Sequence, residues 1–262
     1  MKILALDTTS NVGSIALLDT TVIARSEQGE RRGDLPSVLG GLPHSFQSLA
    51  MTGSALVELS WENASSHTSV LVLHLQELLK QSSLSLEEID LWALTQGPGS
   101  FTGIRIGLAF VKGLTLLNEK PVIGISTLEA MAFTNPNYQT SLTCPILDAH
   151  REQIFAALYR QSAAGSELLI AEQAEFPEKF FHQIKSLKEI DSKKLMFLGS
   201  GAKKYADLIR KEWGNEVQII PESPPLASFI GKLAFNKFQQ GCTLLSSLDL
   251  SPSYLRGSAA EA

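Results

Sequence analysis

Leu91-Trp92-Ala93-Leu94-Thr95-Gln96-Gly97-Pro98-Gly99-Ser100-Phe101-Thr102-Gly103-Ile104-Arg105-Ile106-Gly107-Leu108-Ala109 sets the fold class. Residues 91–95 are a short apolar run bounded by turn residues, which predicts a buried strand. The turn from Gly97 to Gly103 opens straight into an apolar helix over 104–117, and 121–125 reads as another buried strand. Strand, glycine turn, helix and strand in that order make a parallel crossover, the building unit of an α/β sheet.

Upstream, residues 3–6 form a buried strand that delivers Asp7-Thr8-Thr9-Ser10 at its carboxyl end. A second strand over 13–18, the turn Asp19-Thr20-Thr21 and a third strand over 22–24 complete a meander. From 28 to 66 periodicity is lost, with Gly33, Pro36, Gly40, Gly41, Pro43 and Gly53 breaking any long element except an extra strand over 55–61. A stretch this long without structure of its own is a functional, mobile or inserted piece. A helix over 67–80 follows, with Ser66 as N-cap and Val70, Leu71, Leu73, Leu78 and Leu79 as a wide apolar face. Ser85 and Glu88 make a capping pair for a short helix, and Ser126 caps another that fades near Asn135-Pro136.

A second round then begins. Residues 142–148 and 153–159 read as paired strands, followed by a more polar strand and a helix through 187. A strand over 195–198 ends in Gly199-Ser200-Gly201-Ala202 and leads into a helix through 213. Pro224-Pro225 starts the last long helix, to 240, and 252–256 is a tail. The two halves look like related α/β units, with domains expected at 1–134 and 135–262 and an inserted segment near 30–65.

At 262 residues and 44% hydrophobic content the chain can bury a sizeable core. A formal charge of -5 excludes a strongly basic surface able to hold nucleic acid alone by counterion release, so any tRNA contact is expected to be shared with a partner. The two cysteines, Cys144 and Cys242, lack the close spacing of a zinc or redox pair. The opening Met1-Lys2-Ile3-Leu4 shows no leader pattern, and no stretch reaches the roughly 18 to 20 apolar residues of a membrane span. The expectation is a cytoplasmic protein without a membrane association.

Five motifs occur in order: Asp7-Thr8-Thr9; the run 97–109; Asp148-Ala149-His150-Arg151-Glu152; Leu198-Gly199-Ser200-Gly201; and Ser253-Tyr254-Leu255-Arg256. Together they resemble the TsaB (YeaZ) family, with chiefly residues 30–65 unmatched. The resemblance implies two related domains of the actin, Hsp70 and sugar-kinase (ribonuclease H-like) fold. It also implies a non-catalytic scaffold that pairs with the paralogue TsaD to make threonylcarbamoyladenosine in tRNA, at the adenosine beside the anticodon. TsaE, an ATPase, is the further partner it implies, with a homodimer when the chain is alone and tRNA met only in the complex.

Asp7, Thr8, Thr9 and Ser14 match the place where active relatives hold phosphate and metal, and Gly199, Ser200 and Gly201 the place where they accept the nucleoside. They are candidate relics of a nucleotide site, and the same residues also suit a capped strand end and a strand-to-helix turn. TsaD carries a His-x-x-x-His metal pair where this chain has Thr127 and Met131, and neither a hydroxyl nor a thioether replaces imidazole well. No catalytic or metal-ligating residue and no cofactor is therefore expected of this chain, with ATP or ADP left to the complex. Where TsaD has a glycine-rich turn, Asp148-Ala149-His150-Arg151 would crowd an approaching phosphate; the family usually has Arg at the position of His150. His67 and His74 lack the i, i+4 spacing of a helical metal pair and read as solvent-facing.

The helix over 104–117 is apolar nearly all round, which predicts burial on one side and a partner on the other. Gly103 and Gly107 share one face, as do Ala109 and Gly113, and such small residues let another helix approach closely. With the helix at 67–80, the resemblance places an interface at His67, Val70, Leu71, His74, Ile104, Gly107, Leu108 and Val111. Two other readings are a small-molecule kinase of the same fold and a glycoprotease-like peptidase. The second lacks a His-Glu-x-x-His helix and a Gly-x-Ser-x-Gly elbow, leaving only a Cys144–His150 dyad.

Overall fold

The structure, a computed structural model, describes residues 1–20, 47–48, 55–62, 67–116, 119–135, 142–162, 165–187, 190–246 and 248–255. The expected strand over 22–24 and the Ser66 cap lie outside the described residues. Two compact units emerge. The first comprises Met1–Gln96, Ser100–Ile125 and Pro225–Pro252; the second comprises Gly97–Gly99, Ser126–Pro224 and the residues from Ser253 onward.

In the first unit, β1 (Lys2–Asp7), β2 (Val12–Asp19), β3 (Gln47–Ser48), β4 (Ala55–Glu62), β5 (Leu91–Thr95) and β6 (Val122–Ile125) form one sheet in the order β3-β4-β2-β1-β5-β6. β1 pairs antiparallel with β2 and parallel with β5, so it lies mid-sheet, which is why its run Ile3 to Leu6 is apolar on both faces. The strand expected over 55–61 is β4, antiparallel to β2. Gly13 admits the indole of its cross-strand partner Trp61: a Cβ there would stand 2.3 Å from Trp61 Cε2. Helices α1 (His67–Ser82) and α2 (Phe101–Thr115) pack one face of this sheet, burying Leu71, Leu75, Leu78, Ile104, Leu108 and Val111 against Leu4, Leu6, Trp92 and Leu94.

The second unit has β7 (Leu142–Asp148), β8 (Ile154–Ser162), β9 (Gly165–Glu175), β10 (Leu195–Leu198) and β11 (Gln218–Ile220) in the order β11-β10-β7-β8-β9. β7–β8 and β8–β9 are antiparallel, β7–β10 and β10–β11 parallel. The order β4-β2-β1-β5-β6 repeats as β9-β8-β7-β10-β11 with the same directions, so the two units share one topology. Helices α3 (Thr127–Phe133), α4 (Pro177–Ser186), α5 (Ser200–Lys204) and α6 (Ala206–Trp213) complete it. Its core includes Phe180, Phe181, Phe197, Ile146 and Ile209.

The expected boundary at 134/135 does not follow these units. Helix α3 packs on β7, β8 and β9, where Asn135 Nδ2 donates to Thr143 Oγ1 at 2.9 Å. Helix α7 (Ala227–Gln239) packs instead on β1 and β2, and Gly231 lets it approach Leu18, whose Cδ1 stands 2.3 Å from where a Cβ would be. Each helix thus follows the last strand of one sheet in the chain and belongs by contact to the other unit. The tail after α7 returns along β6 in the first unit: Val122 and Leu245 exchange backbone hydrogen bonds at 3.1 and 3.0 Å, and Leu250 is buried in the core.

Candidate functional site

Asp7 ends β1 fully buried, and its carboxylate is already surrounded by donors. Oδ1 accepts from the Thr9 amide (2.9 Å), the Thr9 hydroxyl (2.7 Å) and the Thr95 hydroxyl (2.7 Å), while Oδ2 accepts from the Ser10 hydroxyl at 2.7 Å. Burying a carboxylate requires such partners, and the Asp-Thr-Thr-Ser order supplies most of them locally. The next residues tie the turn to α2: Thr8 Oγ1 donates to Gly103 O at 2.7 Å, and the Ser100 amide donates to Thr9 O at 2.9 Å. The Ser100 hydroxyl caps α2 by accepting from the Gly103 amide.

Gly103 and Gly107 exist for this contact. A Cβ at Gly103 would stand 1.9 Å from Thr8 O, and one at Gly107 would stand 2.5 Å from Thr8 Oγ1. Of the two small-residue faces expected to admit another helix, the one at Gly103 and Gly107 receives the β1 turn of the same unit. Ser14 is likewise engaged. Its hydroxyl accepts from the amides of Leu226 (3.2 Å) and Ala227 (3.0 Å), and Glu58 Oε1 accepts from the Ser228 amide at 3.1 Å. These bonds cap α7 from β2 and β4, since Leu226 at its N-cap has no side chain able to do so. Burial holds the Glu58 carboxyl above its ordinary range, partly offset by those hydrogen bonds.

The second candidate group lies in the second unit. Gly199 has φ 106° and donates its amide to Ile220 O at 2.9 Å. A Cβ there would meet Met131 Cε at 2.5 Å and Ile146 O at 2.6 Å, and one at Gly201 would meet Ile146 Cγ2 at 2.4 Å. Glycine is required to turn from β10 into α5 against β7. Between them, Ser200 Oγ accepts from the Asp148 amide at 3.2 Å.

Asp148 organises the β7–β8 turn. Its Oδ1 accepts from the His150 amide at 3.0 Å, and Lys204 Nζ donates to both carboxylate oxygens at 3.0 Å, which raises the pKa of that lysine. His150, Arg151 and Glu152 follow with φ of 59°, 49° and 61°, three consecutive left-handed residues, none of them glycine. Each such residue costs about 1–2 kcal/mol. All three side chains are exposed. Cys144, by contrast, is buried in the sheet beside Phe197, and burial pushes its thiol up, so a buried cysteine and an exposed histidine form no dyad.

Residues 62–261 match the family described as "TsaD: tRNA N6-adenosine threonylcarbamoyltransferase". The tRNA threonylcarbamoyladenosine biosynthesis protein TsaB of Escherichia coli strain K12 is 32% identical over 199 residues, covering 74% of this chain and 82% of that protein. The chain belongs to the TsaB family. TsaB of Haemophilus influenzae is 28% identical over 200 residues, covering 72% of this chain and 80% of its own length. In fold, the solved structure of YeaZ from Pseudomonas aeruginosa superposes with a TM-score of 0.70 at 21% identity, covering 97% of this chain and 100% of that one.

In this TsaB-family chain, Thr127 and Met131 on α3 are both buried, and the Met131 methyl fills the space beside Gly199. Among the described residues no group of three His, Cys, Asp or Glu side chains could hold a metal ion, and no helix is long and apolar enough to cross a membrane. His74 is buried rather than solvent-facing: its Nδ1 donates to Val70 O at 2.8 Å and its ring lies 4.8 Å from that of Trp61. The side chain of His67 lies outside the described residues.

Most residues expected at an interface lie inside the first unit. Leu71, His74, Ile104, Gly107, Leu108 and Val111 are buried in the core of the first unit, and Val70 is half-buried against it. The opposite face is apolar as well and open. Val72 is 51% exposed, Leu73 59%, Phe101 52% and Leu116 56%. Ala109 and Gly113 are exposed between them, and a Cβ at Gly113 would meet nothing within 4 Å. The Arg105 guanidinium stacks on the Phe101 ring at 3.7 Å. The spacing Phe101, Arg105, Ala109, Gly113, Leu116 carried this signal, but with apolar residues on both sides periodicity alone could not say which side faces in.

Proposed function

We propose that this chain is the non-catalytic partner of TsaD in forming threonylcarbamoyladenosine beside the anticodon of tRNA, and that it grips TsaD with the exposed face of α1 and α2. The observation that carries the reading is that face: four large apolar side chains at half exposure or more, interleaved with Ala109 and Gly113, on two helices that contact each other. Large apolar side chains left exposed on two packed helices favour a site for another protein, and the small residues Ala109 and Gly113 permit close helix approach. A second copy occupies the same face when TsaD is absent, and TsaE joins the pair as the ATPase.

Burial of Thr127 and Met131 where TsaD has its histidine pair favours leaving the chemistry to TsaD. A kinase reading gains nothing from Asp7, whose two oxygens already accept four hydrogen bonds. Any ATP or ADP is accordingly assigned to the assembled complex, the chain itself requires none, and it works in the cytoplasm. The test is co-purification with TsaD of the same organism and reconstitution of the tRNA modification. Leu73→Asp with Phe101→Asp, and separately Gly113→Trp, are expected to abolish association and modification while circular dichroism stays that of the parent. Unchanged affinity in both variants, or threonylcarbamoyl transfer by the isolated chain, would overturn the proposal.

A further inference from the structure

No further inference is drawn: the strongest candidate, the exposed apolar side chains of Phe238, Leu244 and Leu248 in the last turn of α7 and along the tail that returns by β6, carries nothing, because nothing in the structure shows what covers them.

Discussion

Replacing Gly103 and Gly113, both on α2, by alanine should move stability in opposite directions. At Gly113 the new methyl meets nothing within 4 Å, so only helix propensity changes and the chain gains about 1 kcal/mol. At Gly103 the same propensity gain is available, but the methyl would stand 1.9 Å from Thr8 O, a backbone atom that cannot rotate away. Pushing α2 off the turn costs about 1–3 kcal/mol as overpacking. The shift also breaks the 2.7 Å bond from Thr8 Oγ1 to Gly103 O, stranding a buried hydroxyl at about 1–3 kcal/mol. The net is a loss of about 3 kcal/mol, and with roughly 2–4 °C per kcal/mol a Tm drop of about 6–12 °C. Urea and thermal unfolding of the two single variants, followed by circular dichroism, check this. A Gly103→Ala variant as stable as the parent, or a clearly destabilised Gly113→Ala, would refute the argument that one glycine faces the β1 turn and the other faces open space.

Asp7→Ala should destabilise the chain by about 3 kcal/mol or more, because it strands the buried donors on Thr9 and Thr95; urea unfolding measures it. ATP with magnesium should leave the Tm of the isolated chain unchanged, and a rise that grows with ATP concentration would restore the nucleotide site. Glu58 gives a pH signature. Its pKa is raised in the folded state, so the fold binds a proton more readily than the unfolded chain, and stability is fullest below the ordinary carboxyl pKa and falls as pH rises through the folded value. Tm against pH should show that fall in the parent above about pH 4.5 and lose it in Glu58→Gln, which can still accept from the Ser228 amide.

The sequence by itself determined the elements and the kinship of the two halves. Alternation of apolar runs with Gly97-Pro98-Gly99 and Gly199-Ser200-Gly201 turns is local information, and local spacing fixes strand, turn and helix. It also determined that α2 is apolar on two sides and that the motifs at Asp7, Asp148 and Gly199 belong to the TsaB pattern. Tertiary structure alone decided which side of α2 is the core, because that depends on Thr8 meeting Gly103, a contact across 95 residues of chain. The same holds for Ser14, which reads as a phosphate ligand until Leu226 and Ala227 are seen to donate to it. The unit boundary follows suit: α3 and α7 look like ends of their own halves in the sequence, yet each buries its apolar face on the other half's sheet, and burial is a property of which surfaces meet rather than of order along the chain.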